Sequence, residues 1–504
     1  MRLRVPAIRR LAPVGAALAL GAATLWLSPV PLEAQNLRSG QVFAEPPPPP
    51  RDWAQDLQMK IAAPFSVASV GDVMVKRPAS MLQDPALQSV FALIRDADIG
   101  VGNMEGNLAD IPTFEGPLRG MMGSREVAPD LKAMGFDLLS RANNHVFDSD
   151  DEGMFSTIEQ LDAAGIVHAG SGKNLEDARA PAYLETPKGR VAFVGIHSVH
   201  STARLEASPQ VGNIGGRAGL NDLGTTIYHN VTAERLEEIK ALRREVYTPP
   251  AGTNYVTTIP EDGGVERVQL LGNWYQVGTP GTKSFEMDEG DLDEILRSIR
   301  NGKTLADFLV VTIHAHQGPI TAQQWLFEDQ TPDFLVDLAH LAIDNGADVF
   351  VGHGPHVLRG VEIYRGKPIF YGLGEFFYQW QHMDASLMTG SWEASGGRGS
   401  AGGLSDVQRR VSSNWRPVNF ESMVAVSEYE AGELVAVRLH PTHGQFDGPI
   451  SQLGIPRAAP PEMARAILER ARSLSEPFGT EIAIENDVGV IRVRETAAAD
   501  VRRR

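Results

Sequence analysis

The chain has 504 residues, of which 42% are hydrophobic and 22% charged, a composition typical of a soluble globular protein with one large domain or a few smaller ones. Its formal net charge of -17 argues against nucleic acid as the main partner, because a phosphate backbone is bound by clustered Lys and Arg. Cysteine is absent, which excludes disulfides, thiolate metal sites and a cysteine nucleophile.

Residues 1–34 have the pattern of an export signal. Four arginines precede an apolar, Ala- and Leu-rich stretch over residues 14–27, and Ala34 is a small residue suited to cleavage. The apolar run is short for a bilayer span of about 20 residues, but with residues 29–32 added it could serve as an uncleaved anchor. We expect a signal peptide or membrane anchor over residues 1–34, an exported protein in the periplasm or outside the cell, and a proline-rich linker over residues 35–59.

From about residue 60, short apolar runs alternate with helical stretches, which predicts an α/β architecture. The predicted strands are short, rich in β-branched residues and bounded by Gly, Asp or Asn. They lie over residues 65–70, 98–103, 136–142, 191–196, 308–313, 348–351 and 368–371.

Two helices are predicted between these strands. The first covers residues 154–164, with Phe155, Ile158 and Leu161 on its apolar face. The second has Thr331 as its N-cap and Pro332 at its first position, a preferred place for proline.

The predicted domain covers residues 60–380. Residues 244–292 interrupt the alternation with Gly, Thr, Pro and acidic residues, and we expect an insertion there. Residues 381–421 are expected to form a flexible loop. Residues 422–504 are expected to complete the domain with a hairpin, a helix and two short strands.

Polar side chains follow five of the predicted strands directly. Because loops converge where the strands of an open α/β sheet end, sites form at that edge. Singly, each residue is more often a turn former, a helix cap or a satisfied histidine, but five successive cases indicate one shared site. These residues are Asp72, Glu105, Asn143, Asn144, His145, Asp148, His314, His316, His353 and His356.

Imidazole, carboxylate and amide ligands together suit a pair of divalent metal ions, and we expect Mn, Fe or Zn. Two such ions can share a bridging carboxylate and lower the pKa of water, which supplies a nucleophile for phosphate-ester or amide hydrolysis without Ser or Cys. His197 and Arg217 are further candidates to line the cleft, the arginine as a contact for an anionic substrate.

Five motifs together resemble the CapA family of poly-γ-glutamate capsule biosynthesis proteins. The resemblance covers about residues 63–378 and follows the order of the family's motifs. The motifs are SVGDVM at residues 69–74, GNMEG at 102–106, ANNHVFD at 142–148, GADVFVGHGPHV at 346–357 and IFYGLGEF at 369–376.

The resemblance implies a calcineurin-like metallophosphoesterase fold, with two packed β-sheets flanked by helices and a dinuclear metal site where the strands end. His145 would be a general acid or an oxyanion stabiliser that Asp148 orients. The implied metal ligands are Asp72 on one ion, Glu105 as a bridge, Asn144 and His314 on the second ion, and His353 and His356 on one ion each.

Three departures from the family's pattern affect the candidate ligands. Phosphoesterases usually open with Asp-x-His, whereas Met74 stands two residues after Asp72, so the first metal lacks an imidazole. A segment His-Ala-His replaces the family's His-Trp-Gly, which makes His316 a candidate extra ligand. Glu375 stands where Asn is usual and adds a further acid near the site.

The resemblance implies an exported metal-dependent hydrolase or transferase that acts on an anionic polymer such as poly-γ-glutamate, or on a phosphate or amide bond of envelope material. The alternative is a non-catalytic component of a capsule synthesis or export assembly. It would be anchored to the membrane by its N-terminal segment and would use the fold as a binding surface for its partners. A third interpretation, a cytosolic phosphoesterase, requires residues 1–34 to be something other than a signal.

Overall fold

A computed structural model describes residues 57–118, 120–198, 205–248, 266–320, 328–379, 416–446 and 451–493. The expected signal or anchor over residues 1–34 lies outside the described residues, as do most of the linker and most of the loop over residues 381–421. Within the described ranges, no helix is both long and apolar enough to cross a membrane.

Strands and helices alternate through most of the described chain. The strands are β1 Phe65–Met74, β2 Ile99–Met104, β3 Asn107–Ala109, β4 Met122–Ser124, β5 Leu138–Ser140, β6 Val167–Ala169, β7 Ser171–Gly172, β8 Ala182–Thr186, β9 Gly189–His197, β10 Gly219–Leu220, β11 Thr225–Val231, β12 Arg267–Leu270, β13 Asn273–Val277, β14 Lys283–Met287, β15 Phe308–His314, β16 Val349–His353, β17 Val361–Tyr364, β18 Lys367–Phe370, β19 Glu375–Tyr378, β20 Glu421–Glu430, β21 Glu433–His443, β22 Arg457–Ala458, β23 Ala483–Glu485 and β24 Val488–Arg492. The helices are α1 Pro85–Arg95, α2 Val127–Met134, α3 Asp150–Ala163, α4 Leu175–Arg179, α5 Ala233–Tyr247, α6 Glu289–Thr304, α7 Asp333–Asp344 and α8 Pro461–Ser475.

Two large sheets form the core of the described chain. The first is 10-stranded, in the order β23-β24-β21-β20-β1-β2-β5-β6, with β19 paired to β1 and β22 to β21. The second is 6-stranded, in the order β17-β18-β16-β15-β9-β8. The strands β1, β2 and β5 are mutually parallel, as are β9, β15 and β16, so each trio ends on one edge of its sheet.

The two sheets pack face to face. Val67 and Val101 of the first sheet share one buried apolar cluster with Phe193 and Val310 of the second. Because the inner faces bury these side chains against each other, the sheets form the two central layers of the described chain.

Helices cover the outer face of each sheet. Phe91 of α1 and Leu131 of α2 pack in an apolar cluster with β1 and β2. Ile299 of α6 and Leu338 of α7 pack in another cluster with β9 and β15. The layers therefore run helix, sheet, sheet, helix, which confirms the predicted α/β fold with two packed sheets flanked by helices.

The predicted helices differ from the observed ones at their boundaries and faces. The helix predicted over residues 154–164 is α3 and begins at Asp150, and Phe155, predicted to be buried, is 38% exposed. The buried positions instead include Thr157, whose hydroxyl accepts a hydrogen bond from the backbone N–H of Leu108. The buried face of the helix therefore includes a threonine with a backbone hydrogen bond, and a pattern of apolar residues alone does not identify that face.

The helix predicted to begin at Pro332 is α7, which begins one residue later. Pro332 has extended backbone and is itself the N-cap, so Thr331 lies outside the helix. The Asp333 carboxylate accepts hydrogen bonds from the backbone N–H groups of Phe285 and Phe334, which joins the helix start to β14.

Outside the two large sheets, β11 to β14 form a 4-stranded sheet in the order β12-β13-β11-β14. Three of its strands lie within residues 244–292, the region expected to be an insertion. At the other end of the chain, β20 pairs with β1 through five residue pairs from Phe65↔Tyr429 to Ser69↔Ala425. Residues after 420 thus add strands directly beside the strand that carries Asp72.

Candidate metal centre

The strand ends of both sheets bring buried ligand-type side chains together. Asp72 lies near the end of β1, and Glu105 follows β2 directly. His314 and His353 are the last residues of β15 and β16 and are paired in register. Parallel strands end on the same edge, so the first sheet supplies carboxylates and the second supplies imidazoles to one place.

Three groups of buried side chains among the described residues have candidate ligand atoms within 4.8 Å of one another. Each of Asp72, Glu105 and His356 belongs to two groups, so the groups form one continuous cluster. The groups are Asp72, Glu105 and His314; Asp72, His356 and Glu375; and Glu105, His316 and His356.

Three other candidate ligand atoms lie close to the Nε2 atom of His314. It lies 2.8 Å from Asn144 Oδ1, 2.9 Å from His316 Nε2 and 3.8 Å from Glu105 Oε1. One ring N–H cannot donate to all three of these lone-pair atoms. A cation accepts lone pairs from several atoms at once, so the arrangement fits a metal ion better than it fits a hydrogen-bond network.

Several buried polar atoms of the cluster also lack a hydrogen-bond partner among the described residues. They are both carboxylate oxygens of Glu105, Oε2 of Glu375 and both ring nitrogens of His353. Leaving a buried polar atom unpaired costs about 1–3 kcal/mol, more when it is charged. These residues therefore fit bound divalent cations, which would supply the missing partners.

Asp72 is held in a fixed orientation by neutral donors. Its Oδ1 accepts a hydrogen bond from Asn103 Nδ2 at 2.8 Å, and its Oδ2 accepts one from the backbone N–H of Gly354 at 3.0 Å. Asn103 Nδ2 also lies 3.1 Å from Nδ1 of His314, so one amide group orients a carboxylate and an imidazole together. Such outer contacts fix the direction of ligand lone pairs.

Burial keeps the central imidazoles neutral. It lowers the pKa of His314, His353 and His356 to about 4, so that each ring retains a lone pair at neutral pH. Burial, followed by the negative charge of Asp72, raises the pKa of Glu105 and of Glu375 well above the usual range. Without a cation, the buried carboxylates repel one another, and two positive ions would relieve that repulsion.

His145 has a different environment from these imidazoles. Its Nδ1 pairs with Asp148 Oδ2 at 2.8 Å, its Nε2 lies 3.6 Å from Glu105 Oε1, and its side chain is 18% exposed. Burial opposes protonation, but the charge and hydrogen bond of Asp148 outweigh it and raise the pKa of His145. His145 is thus the histidine of the cluster that most readily holds a proton.

Three buried supporting residues were not among the predicted site residues with assigned roles. The amide of Asn143 donates to Asn103 Oδ1 at 3.0 Å and to the Met104 carbonyl at 2.9 Å. Arg141 Nη1 donates to the carbonyls of Met104 and Gly106, at 2.7 and 2.6 Å, on either side of Glu105. Asn103, Asn143 and Arg141 stand within or beside two of the motifs, and that adjacency is the signal by which they could have been found.

Arg217 is the predicted site residue that the described contacts do not join to the cluster. It is exposed, and its guanidinium donates to the backbone carbonyl of Glu206 at 2.9 and 3.0 Å. His197, by contrast, lies against the site: its ring stacks on that of His314 with centroids 6.4 Å apart, and its Nδ1 pairs with Asp222. The other predicted residues all belong to the cluster or contact it directly.

Comparisons with known proteins agree with the sequence motifs. The sequence profile of a family described as bacterial capsule synthesis protein PGA_cap matches residues 66–379. An uncharacterized protein of Sinorhizobium fredii is 36% identical over 451 residues, which cover 85% of this chain and 93% of that protein. The PGA biosynthesis protein CapA of Bacillus subtilis is 23% identical over 321 residues, which cover 62% of this chain and 63% of that protein.

A more distant similarity is to a probable polyglutamine synthesis accessory protein of Mycobacterium tuberculosis, which is 24% identical over 247 residues. That alignment covers 49% of this chain and 46% of the relative. The matches confirm the resemblance to the CapA family that the five motifs indicated.

Proposed function

Because the chain belongs to the bacterial capsule synthesis protein PGA_cap family, we propose that it is a metal-dependent hydrolase or transferase that acts on an envelope polymer such as poly-γ-glutamate. The family serves capsule and polyglutamate synthesis and has a metallophosphoesterase-like fold. The observation that supports a catalytic role is the convergence of lone-pair atoms on His314 Nε2, an arrangement that suits a bound cation.

The metal ligands in this proposal come from both sheets. Two divalent ions, Mn, Fe or Zn, would be held by Asp72, Glu105, Asn144, His314, His353 and His356. Such ions supply Lewis acidity, which polarises the bond to be cleaved and lowers the pKa of water. Neutral imidazoles together with carboxylates are ligands of the type that these ions select.

His145 carries the proton in this reaction. Asp148 holds its Nδ1, so Nε2 is the atom that faces Glu105 and the metal ligands. A proton at Nε2 can pass to the leaving oxygen or nitrogen of the polymer, or its N–H can stabilise negative charge on the reacting group. The partial exposure of this ring allows a substrate to reach it from solvent.

The test uses purified full-length protein and the variant His145→Ala. We expect chelator-sensitive turnover of a phosphoester or γ-glutamyl substrate, and a fall of roughly 10²–10⁴-fold in His145→Ala with metal content unchanged. His168→Ala is the matched control, since His168 also pairs with an aspartate, Asp162, but lies outside the cluster. Elemental analysis that finds no metal, or full turnover in His145→Ala, would refute the catalytic proposal.

The alternative is a non-catalytic binding component of a capsule synthesis or export assembly. Two observations favour it: the mycobacterial relatives are named accessory proteins, and Met74 replaces the imidazole that phosphoesterases place after the first aspartate. In that case, cells that carry the His145→Ala variant should still make a normal capsule. The same experiment in cells therefore separates the two functions.

A further inference from the structure

Met74 cannot supply the ligand that the first metal position lacks. It is 2% exposed and packs in a separate apolar cluster with Met121, Tyr378, Phe420 and Leu453. A thioether is also a soft ligand, unsuited to ions that prefer oxygen and imidazole. The position beside Asp72 must therefore be completed by a residue from another strand.

The strand β19 brings Glu375 to that position. It runs parallel to β1, and Asp72 is paired in register with Glu375. The two strands touch through glycine backbones, with Asp72 N–H donating to the Gly374 carbonyl at 3.1 Å. A Cβ on Gly71 would meet that carbonyl oxygen at 1.8 Å, so only glycine permits this approach.

The two oxygens of Glu375 have different surroundings. Oε1 pairs with Nδ1 of His356, while Oε2 is buried without a hydrogen-bond partner among the described residues. The side chain is 3% exposed, so solvent does not satisfy the second oxygen. Asp72, His356 and Glu375 bring candidate ligand atoms within 4.8 Å of one another.

From this geometry we propose that Glu375 is a metal ligand that replaces the missing imidazole, binding the ion through Oε2 while Oε1 orients His356. The inference rests on the proposed function in that it assumes a metal centre at the cluster. The first metal position then has Asp72, Glu375 and His356 as its own ligands, with Glu105 shared between the two positions.

This assignment changes the metal preference of the site. Replacing an imidazole by a carboxylate makes the first position richer in oxygen, and oxygen ligands favour Mn²⁺ and Mg²⁺ relative to Zn²⁺. Proteins with Asn at this place lack the added charge. Glu375 is thus expected to raise the affinity for Mn²⁺ more than that for Zn²⁺.

The experiment measures metal binding without turnover. Chelator-stripped full-length protein is titrated calorimetrically with MnCl₂ and with ZnCl₂, in the wild type and in Glu375→Gln. Glutamine keeps an amide oxygen that can accept from His356 Nδ1 but lacks the charged ligand oxygen. Glu362→Gln is the matched control, because Glu362 also pairs with a histidine, His340, at 2.9 Å outside the cluster.

We expect two Mn²⁺ per chain in the wild type and in Glu362→Gln, and one in Glu375→Gln, with a smaller loss for Zn²⁺. Two Mn²⁺ in Glu375→Gln, with affinities within tenfold of the wild type, would show that Glu375 only orients His356 and overturn the inference. A wild type that binds no metal would overturn the proposed function itself, so the two failures are distinguishable. If thermal unfolding shows that Glu375→Gln is not folded, the same titrations are made with Glu375→Asn, whose side chain is smaller.

Discussion

Asp348 is a buried carboxylate that fixes the start of β16, the strand that ends in His353. Its Oδ2 accepts hydrogen bonds from Lys303 Nζ at 2.7 Å and from the backbone N–H of Leu309 at 3.0 Å, and its Oδ1 pairs with Lys367. Burial alone would raise the pKa of Asp348, but the positive charges of the two lysines outweigh it and lower the pKa below its usual 3.8.

Replacing Asp348 by Asn leaves the buried Lys303 without its counter-charge and should cost roughly 3–5 kcal/mol of unfolding free energy at pH 7. Because the folded pKa lies below the unfolded one, the ionic stabilisation is complete above the usual 3.8 and is lost as the pH falls through the folded value. The free-energy difference between wild type and Asp348→Asn should therefore shrink below about pH 4. Urea unfolding of both proteins from pH 3 to pH 7 measures it.

The control for this ion pair is Asp344→Asn. Asp344 pairs with Arg365 at 3.0 Å at the surface, where both side chains are partly solvated, so its loss should cost less than about 1 kcal/mol. Equal destabilisation by the two variants, or a difference that does not change with pH, would contradict the account of Asp348.

Among individual residues, the sequence predicts the candidate metal ligands better than it predicts the residues that orient them. Asp72, Glu105 and His314 were predictable because each comes after a short apolar run in the sequence. The motifs draw attention to Asn103 and Arg141, but their roles were not predictable, because those roles depend on hydrogen bonds to atoms distant in sequence, such as that of Asn103 with His314. Single-sequence patterns contain no information on such pairings.

The contact between β1 and β19 is the element-scale feature on which the first metal position depends. The close approach occurs at Gly71 and Gly374, and the latter has a φ of 77°, in the left-handed region that favours glycine. Both contacting groups are backbone, so a side chain at Gly71 cannot be relieved by a rotamer change.

Gly71→Ala should therefore push β19 away from β1, destabilise the fold by at least about 1–3 kcal/mol and weaken metal binding. Chemical unfolding and elemental analysis of the same preparation measure both effects. Gly215→Ala is the control, since a Cβ there meets nothing within 4 Å and should change stability by less than about 0.5 kcal/mol. A Gly71→Ala protein with wild-type stability would show that the glycine contact does not set the spacing.

Among the elements, buried strands were easier to predict than half-exposed ones. All seven residues of β15 are buried, and five of them are apolar. In β13, none of the residues Asn273–Val277 is buried, so no pattern marked it as a strand. The strand predicted over residues 136–142 is observed only over Leu138–Ser140, and the side chain of Arg141, which follows it, donates to the carbonyls on either side of Glu105.

For the whole molecule, the layered fold could be predicted, but the order of strands could not. Alternating strands and helices predict an α/β architecture, and the resemblance to the CapA family implies its two packed sheets flanked by helices. The pairing of β20 with β1, and of β19 with the end of β1, joins segments that are more than three hundred residues apart. No local pattern specifies partners at that separation.

The predicted export signal over residues 1–34 determines where the protein should be found in the cell. With residues 1–34 intact, we expect the protein in the periplasmic, extracellular or membrane fraction, whereas a chain that lacks them should remain in the cytoplasm. Cell fractionation followed by immunoblotting measures the distribution. A cytoplasmic location for the intact chain would instead support the cytosolic phosphoesterase.

The central place of β1 also determines when the protein can acquire its shape during synthesis. The strand leaves the ribosome early, yet two of its neighbours, β19 and β20, are made only after most of the chain. Until then the unpaired edge of β1 is exposed to aggregation, and we expect a chaperone to protect it. A nascent chain arrested before residue 421 lacks β20 and should accordingly be more sensitive to protease in its first sheet than the chain that includes it.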